Sequence, residues 1–409
     1  MQIGIDASRA FKSPRTGTER YAWEILRHLL AHPRAAQDTW HLYVDRALAP
    51  GEIAELLAGA SVADGVADGA AHAAGHVIWH VLPWRRMWTH RVLGPAIRRA
   101  GLDVCFVPSH VVPFVWPARR NPPSVVTVHD LGYRVWPQTH PWRQRLYLEL
   151  STRWNLRAAT QVITISQATA RDIATTYAPP ARVTVIHEAA ARLPQLDAAA
   201  FATAIATVRA EFGLPPTYAI FTGTLHPRKN VERLLRAYAR LLHSGQATWP
   251  LVLAGADGWQ GKDFRALAER LDVAEHVRFL GYVPDVSLPA LVAGARFFAF
   301  PSLFEGFGLP VLEAQELGVP VMTSNYSSLP EIAGDAALYV DPTDIDALAD
   351  AMLRLSQDES LRQRLIAAGY ANVQRFSWEK AADETYAVLR AAAINSDPEA
   401  TATEDSTAG

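Results

Sequence analysis

Short apolar runs recur along the chain, and each is followed by a polar or glycine-containing turn and then by a helical pattern. The first half contains IGIDAS, HLYVD, DVCFVPS, SVVTVHD, QVITIS and RVTVIHE, and the second half contains YAIFTGT, PLVLAG, VRFLGYV, ARFFAFPS, VPVMTSN and ALYVDP. Runs this short and this uniformly apolar are typical of parallel strands that helices cover on both faces. The alternation therefore predicts an α/β protein built on parallel sheets.

The alternation stops between Ala189 and Pro216, where an alanine-rich helical pattern ends in FGLPP. A chain of 409 residues is longer than a domain with a single hydrophobic core usually is. The interruption therefore predicts two doubly wound, Rossmann-like domains facing across a cleft. We expect an N-terminal domain over residues 1–195 and a C-terminal domain over residues 196–393, with the last helix packing back on the first domain. Residues 394–409 are small, polar and acidic, which predicts a disordered tail.

Composition and charge exclude several classes of function. Lys and Arg total 39 against 41 Asp and Glu, so no general positive charge favours nucleic acid as a partner. The one cysteine, Cys105, lies in an apolar run; it excludes an intramolecular disulfide and fits a reducing compartment. No basic region followed by an apolar stretch opens the chain, and no apolar run is long enough to span a bilayer. We therefore expect a cytoplasmic protein.

Two glutamates flank a segment of glycine and apolar residues in SLFEGFGLPVLEAQELG, residues 302–318. The preceding RFFAFPS predicts a buried strand, LFEGFG the loop after it, and LPVLEAQELG a helix with proline in its first turn. Ligands bind open α/β sheets outside the carboxyl ends of the strands. We therefore expect Glu305 in the ligand crevice and Glu313 about one turn into the helix.

The start of this predicted helix offers free backbone N–H groups, from Leu309 to Val311, to an anion. Acids beside an anion site fit a ligand that carries both phosphate and hydroxyl groups, as a nucleotide sugar does. Glu313 would then accept hydrogen bonds from the ribose and Glu305 from the transferred sugar. Taken singly, each glutamate has the alternative reading of a helix-surface charge or a partner of the helix dipole.

A second segment, FTGTLHPRKN over residues 221–230, follows the first strand of the second half and precedes a strongly helical run. Its glycine-containing loop places Arg228 and Lys229 at the carboxyl end of a strand. Two fixed cations there would neutralise the charge of a departing diphosphate. Most Arg-Lys pairs are solvated surface groups, but the position at a strand end favours a site.

Together these motifs resemble the retaining glycosyltransferases of family 4, which have the two-domain GT-B fold. The run Glu305 to Glu313 matches their Glu-x7-Glu signature, and GTLHPRKN matches the loop that opens their nucleotide-binding domain. RTGTERYAWEILRHL, VTVHD and SLPEIAGDAALYVDP resemble further blocks, so the resemblance covers the chain to about Leu389. GTLHPRKN is similar to bacterial mannosyltransferases of surface-polysaccharide pathways, which makes GDP-mannose the first expectation for the donor.

The resemblance implies roles for individual residues. Lys229 and Arg228 would hold the donor diphosphate, Glu305 would contact the transferred sugar, and Glu313 would bind the ribose. His129 would lie beside the donor sugar. Gly17 would let the backbone approach the ligand closely. The remaining donor contacts would come from the two loops and the helix start, at Gly223, Thr224, Gly308, Leu309, Pro310 and Val311. Many family members have arginine where this chain has Thr224, and Arg228 would take over that role.

The implied reaction is transfer of a hexose to an acceptor hydroxyl, on a glycan or a lipid-linked saccharide, with retention at the anomeric carbon. The acceptor would attack from the front face, and the departing phosphate oxygen would take its proton, without a cofactor or a metal ion. One alternative is a sucrose- or trehalose-type synthase or a phosphorylase on the same fold. Another is a non-catalytic nucleotide-sugar-binding protein.

Three other features have competing interpretations. His129 and Asp130 resemble half of a hydrolytic triad, yet the chain has no G-x-S-x-G, and a structural histidine is the other reading. Asp344-Ile-Asp346 has the spacing of metal-dependent glycosyltransferases but opens a helix, which predicts an N-cap at Asp344. The glycines of GADGWQG, residues 255–261, do not form G-x-G-x-x-G, which argues against a dinucleotide oxidoreductase.

The segment WHVLPWRRMWTHRVLGPAIRRAG, residues 79–101, concentrates tryptophan and arginine and lacks acidic residues. As a basic, aromatic, helical surface it would contact anionic lipid head groups or a lipid-linked acceptor at the inner membrane face. In the alternative reading, its tryptophans pack the interdomain core and its arginines are solvated.

Overall fold

The computed structural model describes residues 1–13, 15, 17–60, 77–84, 86–109, 111–114, 121–137, 141–177, 182–190, 197–256, 258 and 263–394. The chain divides into two compact units. Unit 1 contains Met1–Leu131, Trp142–Glu188 and the residues from Ser377 onward, and unit 2 contains Gly132–Pro141 and Ala189–Phe376. The chain thus changes unit after Glu188 rather than after residue 195, and its last helix belongs to unit 1. Of the predicted tail, 394–409, all but the first residue lies outside the described residues.

Unit 1 is built on a seven-stranded sheet in the order β3-β2-β1-β4-β5-β6-β7, in which every neighbouring pair is parallel. The strands are β1 (Gln2–Asp6), β2 (Thr39–Val44), β3 (Val77–Val81), β4 (Val104–Val107), β5 (Ser124–Val128), β6 (Gln161–Thr164) and β7 (Val183–Val185). The helices are α1 (Gly17–Ala31), α2 (Pro50–Leu57), α3 (Gly94–Arg99), α5 (Trp142–Ala158), α6 (Gln167–Thr176) and α15 (Trp378–Ile394), with a π-helical turn at Thr89–Leu93. The short helix α4 (Gly132–Val135) is assigned to unit 2.

Unit 2 is built on a six-stranded parallel sheet in the order β10-β9-β8-β11-β12-β13. The strands are β8 (Ala219–Thr222), β9 (Leu251–Ala254), β10 (Val277–Gly281), β11 (Phe297–Phe300), β12 (Val321–Ser324) and β13 (Ala337–Val340). The helices are α7 (Ala198–Glu211), α8 (Val231–His243), α9 (Phe264–Arg270), α10 (Leu288–Ala293), α11 (Leu309–Glu316), α12 (Leu329–Ala333), α13 (Ile345–Gln357) and α14 (Glu359–Val373).

The central strands of both sheets are buried throughout, as their uniformly apolar sequences predict. All four residues of β4, β8, β9 and β11 are buried, and so are all five of β5. Strands buried on both faces leave only their ends open to solvent. In unit 2 the loops after β8, β11 and β12, three neighbouring strands, therefore meet at one edge of the sheet.

Each of the twelve predicted apolar runs contains a strand, but β3 was not predicted. Val77–Val81 overlaps the start of the segment 79–101, which was predicted to be helical. The helical prediction is wrong there because β3 is an edge strand that pairs with β2 alone. An edge strand needs less apolar sequence, and only Val77 of β3 is buried. No helix in the described part of the chain has the length and apolar character that crossing a bilayer requires.

Candidate functional site

The loop between β8 and α8 is fixed by Asn230, the residue before the helix. Asn230 has a left-handed backbone conformation, with φ of 62°, which asparagine tolerates better than most residues. Its buried side-chain amide donates to the carbonyl oxygens of Pro301, at 3.1 Å, and Pro342, at 2.6 Å. These bonds join the start of α8 to the chain that follows β11 and β13. The preceding residues of the loop are thereby held at the carboxyl edge of the sheet.

Glycines allow this loop to lie directly against the chain after β9. Gly223 has a φ of 127°, which glycine adopts without strain. A Cβ atom on Gly255 would lie 2.0 Å from the Gly223 carbonyl oxygen, and one on Gly258 would lie 2.6 Å from that of Leu225. The described glycines of the GADGWQG segment therefore serve close backbone packing under the loop. Thr224, at the exposed tip, occupies the position where many family members have arginine.

Arg228 and Lys229 converge on Glu305, which follows β11. The Lys229 ammonium nitrogen lies 2.6 Å from Glu305 Oε1, and these two side chains are only 10% and 8% exposed. Arg228 lies 3.3 Å from Glu305 Oε2 and also donates to the Phe304 carbonyl at 3.2 Å. The Lys229 nitrogen sits 4.6 Å from the centre of the Phe300 ring. The structure thus brings together three of the four predicted catalytic residues. Lys229 and Glu305 are nearly buried, and Arg228 is partly exposed.

The two cations keep Glu305 ionised. Burial raises the pKa of this carboxyl group, but the charges of Lys229 and Arg228 outweigh burial, and the pKa lies below its usual value. At neutral pH Glu305 is therefore an acceptor of hydrogen bonds and not a proton donor. This is the form that binding a sugar hydroxyl requires.

The backbone of Glu305 is held by two serines that sequence reasoning missed. Ser327 Oγ donates to the Glu305 carbonyl at 2.6 Å and accepts from its N–H at 3.3 Å. Ser328 Oγ lies 3.0 Å from the same carbonyl and 2.6 Å from that of Phe307. Ser327 has a φ of 59°, an uncommon conformation for a residue other than glycine. Both serines follow β12, the neighbour of β11, so strand order places them beside Glu305.

Helix α11 begins at Leu309, as predicted, with Pro310 in its first turn. Gly308 precedes it with a φ of 117°, and a Cβ atom there would lie 2.8 Å from Leu329 Cδ2. The predicted anion site offers fewer backbone donors than expected. Pro310 has no N–H, and the Val311 N–H donates to the Gly308 carbonyl at 2.9 Å. Of the three predicted donors, only the Leu309 N–H has no hydrogen bond among the described residues.

Glu313 lies one turn into α11, as predicted, and is half-buried. Burial raises the pKa of Glu316, and the negative charge of Glu313 raises it further. Glu316 is the next residue on the same side of the helix as Glu313. One buried carboxylate oxygen of Glu316 has no hydrogen-bond partner among the residues that the structure describes. The negative charge of Glu313 thus acts on the carboxyl group of Glu316.

In unit 1, His129 has one ring nitrogen in a hydrogen bond and the other facing an acid. Nε2 donates to the Pro108 carbonyl at 2.9 Å, and Nδ1 lies 3.6 Å from Oε1 of Glu188, a residue that is 3% exposed. The Tyr21 ring packs edge to face on the imidazole at 4.8 Å. The acid within ion-pairing distance of this ring is Glu188. The arrangement favours a fixed histidine over half of a hydrolytic triad.

Glu188 is a further residue that sequence reasoning missed. It follows β7 in RVTVIHE, and His129 follows β5; β6 lies between these two strands in the sheet. Carboxyl ends of parallel strands share one edge, which is the signal that could have found it. Gly17 is the first residue of α1, and no atom in the described part of the chain lies within 4 Å of where its Cβ would be. The backbone there is open to close approach.

The remaining predicted features have structural explanations. Asp344 caps α13 by accepting from the N–H groups of Asp346, at 2.8 Å, and Ala347, at 3.0 Å. These two hydrogen bonds confirm the N-cap prediction, and Asp346 forms an ion pair with Arg240. In the segment 79–101, Trp88 is buried and donates to the Leu82 carbonyl at 2.7 Å, whereas Trp84 is 51% exposed. Membrane contact by this segment stays a prediction.

Comparisons with known proteins agree with this architecture. Residues 15–189 match the family described as Glycosyltransferase Family 4, and residues 205–372 match that described as Glycosyl transferases group 1. The O-antigen chain mannosyltransferase B of Escherichia coli is 38% identical over 64% of this chain and 68% of its own length. A serotype-specific mannosyltransferase of Escherichia coli is 34% identical over 44% of this chain but only 22% of its own length. The solved structure of Anabaena HepE in complex with UDP-glucose superposes with a TM-score of 0.68 at 18% identity, over 96% of this chain and 100% of that chain.

Proposed function

We propose that this chain, which belongs to glycosyltransferase family 4 and has the GT-B fold, transfers a hexose from a nucleoside diphosphate sugar to an acceptor hydroxyl with retention of configuration. The observation that carries the proposal is the cluster at the carboxyl edge of the unit 2 sheet, in which Lys229 and Glu305 are nearly buried and Arg228 is partly exposed. It combines cations for a diphosphate with an ionised acceptor for sugar hydroxyls.

The cations act on the leaving group. As the bond from the anomeric carbon to the phosphate oxygen breaks, negative charge accumulates on the diphosphate. Lys229 stabilises that charge strongly because it is already in place and nearly buried, and Arg228, which is 31% exposed, adds a second cation. The Leu309 N–H at the start of α11 adds a backbone donor. With the charge stabilised in this way, we expect neither a metal ion nor a cofactor to be required.

The acids orient the donor. Glu305 accepts hydrogen bonds from the transferred sugar, and Glu313 accepts them from the ribose. Gly223, Thr224 and Gly308 line the donor through their loops, and Gly17 and His129 keep the donor contacts that the family resemblance implies. The acceptor attacks on the side that the diphosphate leaves, and the departing phosphate oxygen takes its proton. That route needs no protein base.

Mannose from GDP-mannose is the donor that we propose first, because the two relatives above are named as mannosyltransferases. The acceptor that we propose is a glycan or a lipid-linked saccharide. Synthase-type enzymes and phosphorylases on the same fold differ in co-substrate: the former transfer to a free sugar or sugar phosphate, and the latter use inorganic phosphate.

The test is a panel of nucleotide sugars incubated with the full chain, with release of nucleoside diphosphate as the readout. The acceptors are a mannose oligosaccharide, free glucose, glucose 6-phosphate and inorganic phosphate. We expect release with GDP-mannose and the oligosaccharide, and NMR should show an α-linked product from the α-linked donor. Binding without release would identify a non-catalytic protein, an inverted product would exclude retention, and preference for phosphate or a free sugar would favour the alternatives.

A further inference from the structure

Helix α5 leaves large apolar side chains in solvent. Trp142, Leu146 and Leu150 are 67%, 51% and 54% exposed, and Tyr147 beside them is 49% exposed. Residues four apart in a helix project from the same side, so the first three form one stripe along α5. The buried residues of α5 lie in its second half, on the other side of the helix. Exposed apolar groups in such an array mark an interaction surface more often than scattered ones do.

Arginines accompany this stripe. Helix α5 contains four arginines and one glutamate. That glutamate, Glu149, accepts from Arg153 at 2.7 Å and from the Tyr177 hydroxyl at 2.9 Å, so its charge is compensated. Arg143 and Arg145 are exposed, and neither has an ion pair with another described residue. The first half of α5, in which residues 142–147 are all exposed, is therefore both apolar and positively charged.

The surface continues into the segment 79–101 through aromatic contacts. The Phe114 ring packs edge to face on Trp154 of α5, with centroids 5.1 Å apart, and stacks on His90 at 4.2 Å. Near His90, Trp84 and Met87 are both more than half exposed. We call the exposed side chains of α5 together with those of this segment the α5 surface; all of them belong to unit 1.

We propose that the α5 surface docks on a bilayer that contains anionic lipids, an inference that is independent of the proposed reaction. Tryptophan, tyrosine and leucine suit the boundary between head groups and acyl chains, and arginine suits anionic head groups. Charge selects this occupant. The whole chain has a formal net charge of −2, whereas α5 has three more positive than negative side chains. A second copy of the chain, docked through the same surface, would bring the same positive charge.

The test is co-sedimentation of the full chain with phosphatidylcholine vesicles, with and without phosphatidylglycerol. One variant carries Leu146→Ser and Leu150→Ser, and a second carries Arg143→Glu and Arg145→Glu. The matched control places the same two kinds of change on exposed residues of unit 2, as Val286→Ser and Arg364→Glu. Because all these side chains are exposed, we expect unchanged unfolding temperatures.

We expect partitioning onto the anionic vesicles to fall at least about tenfold in each α5 variant and to be unchanged in the control. Added NaCl should weaken the binding of the unaltered chain. Equal binding to neutral and anionic vesicles, absence of binding, or full binding by either α5 variant would overturn the proposal. So would a dimer in solution that the α5 variants convert to a monomer, because a second copy would then be the occupant.

Discussion

Replacing Lys229 with alanine removes a cation that lies 2.6 Å from Glu305 in a nearly buried site. We expect kcat/KM with the preferred nucleotide sugar to fall by at least ~10²-fold, which corresponds to about 2.7 kcal/mol of transition-state stabilisation. The effect is large because the side chains of Lys229 and Glu305 are only 10% and 8% exposed, so water screens their charges little. Arg228 stays at the site, 31% exposed, and limits the loss.

The same substitution changes how stability depends on pH. In the unaltered protein the pKa of Glu305 is lowered, so the unfolded state binds more protons in acid, and stability falls as pH drops from about 4.5 through the folded pKa. Without Lys229, one cation alone opposes burial, and the pKa rises. We therefore expect a smaller loss of stability in acid, and at neutral pH a destabilisation of about 1–3 kcal/mol, because Arg228 still compensates part of the buried charge.

Urea unfolding between pH 7 and about pH 3, and release of nucleoside diphosphate at neutral pH, measure the two effects on the same preparations. Arg236→Ala is the matched control, because this arginine lies on α8, near the same loop, and pairs with Glu232 in solvent at 3.2 Å. It should change stability by less than about 0.5 kcal/mol and leave kcat/KM unaltered. A folded Lys229→Ala protein with kcat/KM within threefold of the unaltered chain would refute the assignment of the cation to the leaving group.

Four further predictions concern other parts of the molecule. Glu313→Ala should weaken nucleoside diphosphate binding about tenfold in isothermal titration, whereas Glu305→Gln should mainly lower kcat; unchanged affinity in Glu313→Ala would remove the ribose assignment. Turnover should persist in excess EDTA, and a loss that Mg²⁺ or Mn²⁺ restores would contradict the metal-free mechanism. Ser327→Ala and Ser327→Gly should both lower kcat with little change in nucleoside diphosphate affinity, although glycine also relieves the positive φ; normal kcat in the glycine variant would show that the hydroxyl does not position Glu305. Burial, with the charge of His80 in addition, lowers the pKa of His41, so the unfolded state binds more protons, and the unfolding free energy should fall as pH drops below about 6.5. Urea titrations should show a shallower fall in His41→Gln.

The strands were predictable because burial on both faces imposes uniformly apolar sequence. The site was predictable where it rests on the rule that parallel strands end at one edge of a sheet. Arg228 and Lys229 follow β8 and Glu305 follows β11, and these neighbouring strands bring side chains more than seventy residues apart into contact. Strand β3 was missed because it is only partly buried. An unbroken apolar run is the sequence signal of a fully buried strand, and a partly buried strand does not require one.

The contacts that were missed depend on strand order, which local sequence does not contain. Ser327 acts on Glu305 because β12 lies beside β11, and Glu188 faces His129 because β7 and β5 flank β6. Each of these residues sits in an ordinary loop sequence, and its role appears only when the sheet is assembled. Strand order alone would have placed both residues at the correct edge, but not at hydrogen-bonding or ion-pairing distance.

The balance of charge in unit 2 explains why Glu305 and the two cations belong to one site. The positive charges of Lys229 and Arg228 would repel each other at this partly buried site. Glu305 offsets that repulsion, because its carboxylate lies 2.6 Å from Lys229 and 3.3 Å from Arg228. A diphosphate provides a second source of negative charge for the same two cations. We infer that donor binding shifts their contacts toward the phosphates and frees carboxylate lone pairs of Glu305 for the sugar hydroxyls. The pairing that stabilises the cluster before the donor binds thus holds the two cations in place for the diphosphate and Glu305 in place for the sugar.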